Sequence, residues 1–298
     1  MELIVMLKIK RIKNGRKNVD QVKELLQSRS GDNLAHYREI AAGILKNVQK
    51  NGDLAVLEYT SRFDGVDFEA SELEVTEAEI EAALKEVDDD FIDALRNAAA
   101  NIEDFHAEQK DKSWQKQKKP GIITGQVCRP LKKAGVYVPG GRAAYPSSVL
   151  MTVIPAKVAG VEEIIMFTPP DKEGKVSPVI LAAAEIAGVD RIFKIGGAQA
   201  VAAAAYGTET VPGVDIIVGP GNIYVSMAKE LVFGQVKIDM IAGPSEIMIM
   251  AEKDSNPSYI AADLMSQAEH DPLASSILVT DAPELITEVE KELEKQIE

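Results

Sequence analysis

Val158-Ala159-Gly160-Val161 ahead of Glu163-Ile164-Ile165 returns as Ile186-Ala187-Gly188-Val189 ahead of Arg191-Ile192, and Pro212-Gly213-Val214-Asp215-Ile216 continues the echo. Each glycine suits a helix C-cap, where a residue in the left-handed conformation ends a helix and releases a strand. The apolar runs around the echo, at 135–138, 163–167, 191–195 and 214–218, are of strand length. Alanine-rich helical segments at 149–159, 178–187 and 198–206 separate them. The alternation is β-α-β-α, so the sheet is expected to be parallel. This reading gives successive βα units of a doubly wound domain over 130–239.

Downstream, strands are expected at 247–251 and 276–280 on either side of a helix, which makes a second α/β unit. Upstream, Ile40, Ile44, Leu54 and Leu57, then Ile80, Leu84 and Val87, then Phe91, Leu95, Ala98, Ile102 and Phe105 recur at three and four, the period of amphipathic helices. Asn51-Gly52-Asp53 and Phe63-Asp64-Gly65 interrupt them with turn chemistry. The basic run 110–119 around Trp114 reads as an exposed connector. The segment before Gly31 carries Lys8, Lys10, Arg11, Lys13, Arg16 and Lys17 and reads as a solvated or partner-clasping arm. The expected organisation is an arm at 1–32, the helical part of a discontinuous first domain at 33–129, the Rossmann-like domain at 130–239, and a continuation of the first domain at 240–298.

A chain of 298 residues with a 46% hydrophobic fraction buries a sizeable core, in two domains or one large one. Its formal net charge of -14 argues against nucleic-acid and anionic-membrane partners, which would be repelled. The single cysteine, Cys128, makes no internal disulfide, and the apolar run 3–7 is too short for a signal peptide or a membrane span. A cytoplasmic protein acting on small molecules is expected.

In open parallel sheets ligands gather at the carboxyl ends of the strands. Four small-residue loops follow strands here: Pro139-Gly140-Gly141-Arg142, Gly196-Gly197-Ala198-Gln199, Gly219-Pro220-Gly221-Asn222 and Ala242-Gly243-Pro244-Ser245-Glu246. None matches G-x-G-x-x-G, yet glycine there lets a ligand approach backbone, and a dinucleotide is a candidate. The loops place Gln199, Asn222 and Ser245 along one rim, with Tyr137 just before the first. In the downstream helix Asn256 is a good N-cap, Pro257 suits the first position and Pro272 stops continuation. Ile260, Ala261, Leu264 and Ala268 form its apolar face, and Asp263, Gln267 and His270 a polar stripe. Gln267 and His270 thus have metal-ligand geometry, although spacing alone favours a simple cap by His270 on the helix dipole. Cys128 has only Arg129 nearby to activate it and reads as a core or loop residue. His36 and His106 read as structural or solvated.

Tyr137-Val-Pro-Gly-Gly141, Gly196-Gly-Ala-Gln-Ala200, Gly219-Pro-Gly-Asn222, Ala242-Gly-Pro-Ser-Glu246 and Ser266-Gln-Ala-Glu-His270 stand in an order that closely resembles histidinol dehydrogenase, and the Gly65-Val66 and Phe105-His106 regions are similar too. The resemblance covers most of the chain from about Asn51. It implies a pair of incomplete Rossmann-like units related to the aldehyde dehydrogenase architecture, with the second unit incomplete at its C-terminal side. It implies a homodimer that uses NAD and zinc to oxidise L-histidinol through histidinal to L-histidine. By resemblance, Tyr137, Gln199 and Asn222 contact NAD, Ser245 contacts substrate, and Gln267 and His270 ligate zinc and lie near substrate.

The family's Glu-His base pair and two further zinc ligands, an aspartate and a histidine, fall beyond Glu298. This chain alone is therefore expected to be inactive and to bind zinc weakly. The alternatives are a zinc- and NAD-linked alcohol dehydrogenase of the same superfamily and a non-catalytic NAD-binding or dimer-forming module.

Overall fold

The computed structural model describes residues 23, 32–140, 144–241, 246–269 and 274–297. The repeated glycines become helix ends as their sequence context demands. Gly160 (φ 84°) closes the helix Pro146–Ala159 and Gly188 (φ 78°) closes the helix Pro178–Ala187, each donating its N–H to the last turn. The third echo differs: its helix ends earlier, at Gly207 (φ 71°), because the Val214 N–H bonds back to Ala204 O and folds Gly213 against that end.

Helices α1 (Asp32–Asn51), α2 (Asp53–Asp64), α3 (Glu77–Glu86) and α4 (Asp89–Ala107) come first. A hairpin, β1 (Trp114–Lys119) and β2 (Ile122–Gln126), follows. Then come β3 (Lys133–Tyr137), α5 (Pro146–Ala159), β4 (Glu163–Phe167), α6 (Pro178–Ala187) and β5 (Arg191–Phe193). The series continues with α7 (Gly197–Tyr206), β6 (Ile216–Val218), α8 (Ile223–Val232) and β7 (Lys237–Ile238). Strands β3 to β7 pair in parallel in the order β5-β4-β3-β6-β7. The chain reverses its direction of travel across the sheet between β3 and β6, and that switch point opens a crevice at the carboxyl ends. The doubly wound α/β fold expected from the sequence is present.

Each sheet face is covered twice. On one face Phe167, Phe193 and Ile165 pack under α7 and α8, with Ala41, Ile44, Leu45 and Val48 of α1 and Ala55 and Val56 of α2 above them. On the other, Val136, Ile164 and Met166 pack under α5 and α6, with Ala83 of α3 and Ile92 and Leu95 of α4 outside. Helices α1–α4 therefore share their core with the central sheet. Two details of the periodic reading change. Leu54 is 75% exposed because α2 turns Ala55, Val56 and Thr60 inward, and Phe91 and Phe105 flank a buried stripe centred on Ile92 and Leu95.

The open edge of β5 is closed by residues 73–75. Val75 N–H donates to Ile192 O at 2.8 Å and Lys194 N–H to Leu73 O at 2.7 Å. Arg191 grips both oxygens of Glu74 at 2.7 Å, and Lys194 pairs with Glu79 at 3.0 Å. Covering an edge in this way removes a template for aggregation.

The lysine-rich connector is exposed, as expected, but it is a hairpin. Gly121, at φ 81°, supplies a tight turn, and the strands pair Trp114 with Gln126 through Lys119 with Ile122. A second unit holds β8 (Glu246–Ala251), α9 (Pro257–Ala268), β9 (Ser275–Thr280) and α10 (Pro283–Ile297). Strands β8 and β9 are parallel, and their inner face packs on Ile260, Ala261, Leu264, Leu285, Val289 and Leu293. The outer face shows Met248 and Met250 to solvent, the latter 80% exposed. A parallel sheet is normally covered on both faces, whereas among the described residues this one is covered on one. Among the described residues no helix is long and apolar enough to cross a membrane.

Candidate functional site

The carboxyl ends of β3, β4, β5 and β6 bring three of the four glycine loops together. A Cβ at Gly140 would come within 2.9 Å of the Pro169 ring, and one at Gly196 within 2.6 Å. The proline after β4 is thus wedged between the loops after β3 and β5. At Gly219 (φ 113°) a Cβ would meet Tyr137 O at 2.1 Å. The sequence suggests that glycine here admits a ligand to backbone. In the fold the same absence of side chains lets neighbouring loops press on one another, which draws the rim of the crevice tight.

Tyr137 ends β3 and is buried. Its Oη accepts the Gly197 N–H at 3.0 Å, one of the donors that the first turn of α7 leaves without an intrahelical partner. Burial, offset in part by that bond and reinforced by the Asp64 charge, pushes the phenol up to about 12, so it stays protonated and can donate. Gln199 sits in the same first turn of α7. It is 1% exposed, and neither its Oε1 nor its Nε2 has a hydrogen-bond partner. Buried polar atoms are almost always paired, so an amide with both ends unmet is the feature of this crevice that most needs a partner.

Asn222 closes the third loop as the N-cap of α8, its Oδ1 accepting from the N–H groups of Tyr224 and Val225 at 3.0 and 3.1 Å. Two residues absent from the sequence reading hold this loop. Lys229, 2% exposed, donates to Gly219 O at 2.9 Å and pairs with Asp239. The other Asp239 oxygen accepts the Gly219 N–H at 2.8 Å. Both backbone polar groups of Gly219 thus end on one ion pair. The available signal was a lysine on the same helical face as the apolar Val225 and Val232.

Gln267 lies in the last turn of α9, half-buried, with Asn256 capping the helix through the Ser258 N–H at 2.9 Å. Ile260, Ala261 and Leu264 face inward as expected, while Ala268 is exposed because the helix ends there. Helix α9 belongs to the second unit's core and shares no core residue with the crevice. Ser245 and His270 lie outside the described residues. Among the described residues no group of three His, Cys, Asp or Glu is placed to hold a metal. Cys128 stands at the foot of the hairpin with its N–H on Ser113 Oγ at 3.0 Å, apart from the crevice, and His36 and His106 lie at the surface.

The family model described as Histidinol dehydrogenase matches residues 27–298. The chain is similar to the histidinol dehydrogenase of Clostridium acetobutylicum, 54% identical over 290 residues, which are 97% of this chain and 67% of that one. It is 50% identical to that of Lactococcus lactis over 280 residues, 94% of this chain and 65% of that one. The crystal structure of histidinol dehydrogenase from Elizabethkingia anophelis superposes with a TM-score of 0.77 at 39% identity, covering 87% of this chain and 60% of that one. The chain spans about two thirds of the length of these relatives.

Proposed function

Since the chain belongs to the histidinol dehydrogenase family, we propose that it is the dinucleotide-binding part of an NAD-linked, zinc-assisted oxidoreductase that converts L-histidinol through histidinal to L-histidine. The observation that carries this reading is the buried, unpartnered Gln199 amide beside Tyr137 at the carboxyl end of a parallel sheet. Such an amide suits a ligand rich in both donors and acceptors, and a nicotinamide dinucleotide is one. Tyr137, Gln199 and Asn222 would hold it, with NAD supplying the hydride acceptor. The protonated Tyr137 would donate to the ligand while its oxygen stays anchored on Gly197, and the tight loops would exclude water from the crevice.

Gln267 and His270, one helical turn apart, would supply an oxygen and a nitrogen donor to zinc, and Ser245 would contact the substrate. That donor pair fits zinc chemistry, in which the ion serves as a Lewis acid and orients the substrate's imidazole and amino groups. Two ligands do not complete a tetrahedral shell. Titrating NAD into the 298-residue chain, and then adding zinc and L-histidinol, tests the whole reading. Saturable NAD binding that Gln199→Leu weakens roughly tenfold is expected, with no NADH formed by this chain alone. Absence of NAD binding, or an unaffected variant, would sink the dinucleotide reading, and robust turnover would sink the idea of a half-built metal site.

A homodimer is proposed on the evidence of the hairpin. A two-stranded ribbon exposed on both faces is marginal by itself, and this one carries Trp114 (56% exposed), Ile123 and Val127 in contact with solvent. Its lysines complement a second copy of a chain with net charge -14. Trp114 is the only tryptophan, so its emission should shift to the blue as protein concentration rises and return to the red in Lys116→Glu/Lys118→Glu. A concentration-independent spectrum together with a monomeric sedimentation profile would refute the arrangement. The cytoplasm, where a lone thiol stays reduced, is the proposed compartment.

A further inference from the structure

Asp64 is the last residue of α2, within the Phe63-Asp64-Gly65 turn. Its Oδ2 is buried without a hydrogen-bond partner. A carboxylate at a helix C-terminus faces the negative end of the helix dipole, so the position is unfavourable before burial is counted. Capping does not account for it, because Gly65 (φ 76°) ends the helix with its own N–H on Ser61 O at 3.1 Å. Burial pushes the carboxyl up to about 6, and its charge reaches Tyr137. Helix α2 packs against α7, whose first turn carries the Gly197 N–H bonded to Tyr137 and the unpartnered Gln199 amide.

At its other end α2 meets the end of α7, where Asp53 N–H donates to Glu209 at 2.8 Å, so the half-buried Asp64, at the far end of α2, lies toward the first turn of α7; its Oδ2 and the buried Gln199 amide both lack partners. We propose that Asp64 is a binding residue of the dinucleotide crevice, taking through Oδ2 a hydrogen bond from an O–H or N–H of the bound nucleotide. This inference rests on the dinucleotide reading above. The ligand group facing Asp64 is a neutral donor, a ribose hydroxyl or the nicotinamide carboxamide. A phosphate there would set two anions together at short range and is excluded. An unfavourable group kept at a crevice is the pattern of a residue that serves binding at some expense of stability.

The test titrates NAD and ADP-ribose into the wild-type chain, Asp64→Asn and Asp64→Ala, alongside thermal melting of each without nucleotide. Asp64→Ala is expected to weaken NAD roughly tenfold to hundredfold, as for loss of a hydrogen bond to a charged group, with Asp64→Asn between it and wild type. Without nucleotide, Asp64→Asn is expected to melt no lower than wild type, because it removes a buried charge that has no partner. A purely structural role would lower the melting temperature and leave affinity alone. An equal loss for ADP-ribose places the donor on a ribose, and a loss confined to NAD places it on the nicotinamide; both support the assignment. Unchanged NAD affinity in Asp64→Ala, with wild type binding normally, overturns the role of Asp64 while leaving the dinucleotide reading intact. A wild-type chain that binds no NAD overturns both.

Discussion

Asp239→Ala is expected to lower the unfolding free energy by about 3–5 kcal/mol, the usual consequence of leaving one member of a buried ion pair alone. The substitution strands the Lys229 ammonium, 2% exposed, with only Gly219 O for company, and it also removes the acceptor of the Gly219 N–H. Lys229→Met should do less harm. The methionine puts an unbranched apolar side chain in the buried position, and Asp239, 32% exposed, lies near enough to the surface to recover water. The double variant Lys229→Met/Asp239→Ala should regain part of the loss, since no buried charge is left unpaired. Urea unfolding of the three proteins measures this. A double variant less stable than Asp239→Ala would show that the pair is worth more than the charge it neutralises.

The second large effect is expected at Gly219. An alanine there has to adopt φ 113° and place its Cβ 2.1 Å from Tyr137 O, a backbone atom of a central strand that cannot swing aside. The positive φ alone costs on the order of 1–3 kcal/mol, and the overlap adds strain that only a separation of β3 from the loop after β6 relieves. Gly65→Ala is the internal control: it has a comparable positive φ of 76° but nothing within 4 Å of the new Cβ, and should cost only about 1 kcal/mol. Gly219→Ala should also lose NAD binding, because the loop it displaces closes the switch point. Thermal melting and NAD titration of the two variants decide the matter. Equal stability would mean that the tight approach at Gly219 carries no energetic weight.

Much of the fold was legible in local pattern. Apolar runs ended by glycine, with alanine-rich helices between them, admit few arrangements other than parallel βα units, and Gly160 and Gly188 cap their helices as that context requires. The hairpin was not legible, because its strands are held by cross-strand pairing and a turn at Gly121 rather than by burial, so its lysines leave no alternating apolar signal. The inward faces of α2 and α4 were only approximately legible. Periodicity gives a stripe about 100° wide, and which of two neighbouring residues is buried depends on what lies across from it, as with Leu54 against Ala55 and Val56.

By itself the sequence determined the alternation of strands and helices, the glycine loops after the strands, and the position of Tyr137, Gln199 and Asn222 at those loops, because turn, cap and strand preferences are local and can be read one segment at a time. Only the tertiary structure decided what those residues meet. It put the Gly197 N–H on Tyr137, left the Gln199 amide and Asp64 Oδ2 buried without partners, and tied the Gly219 loop to Lys229 and Asp239. Whether a polar group is buried and unpaired depends on segments far apart in the chain, such as α2 against α7, and no local pattern records that distance.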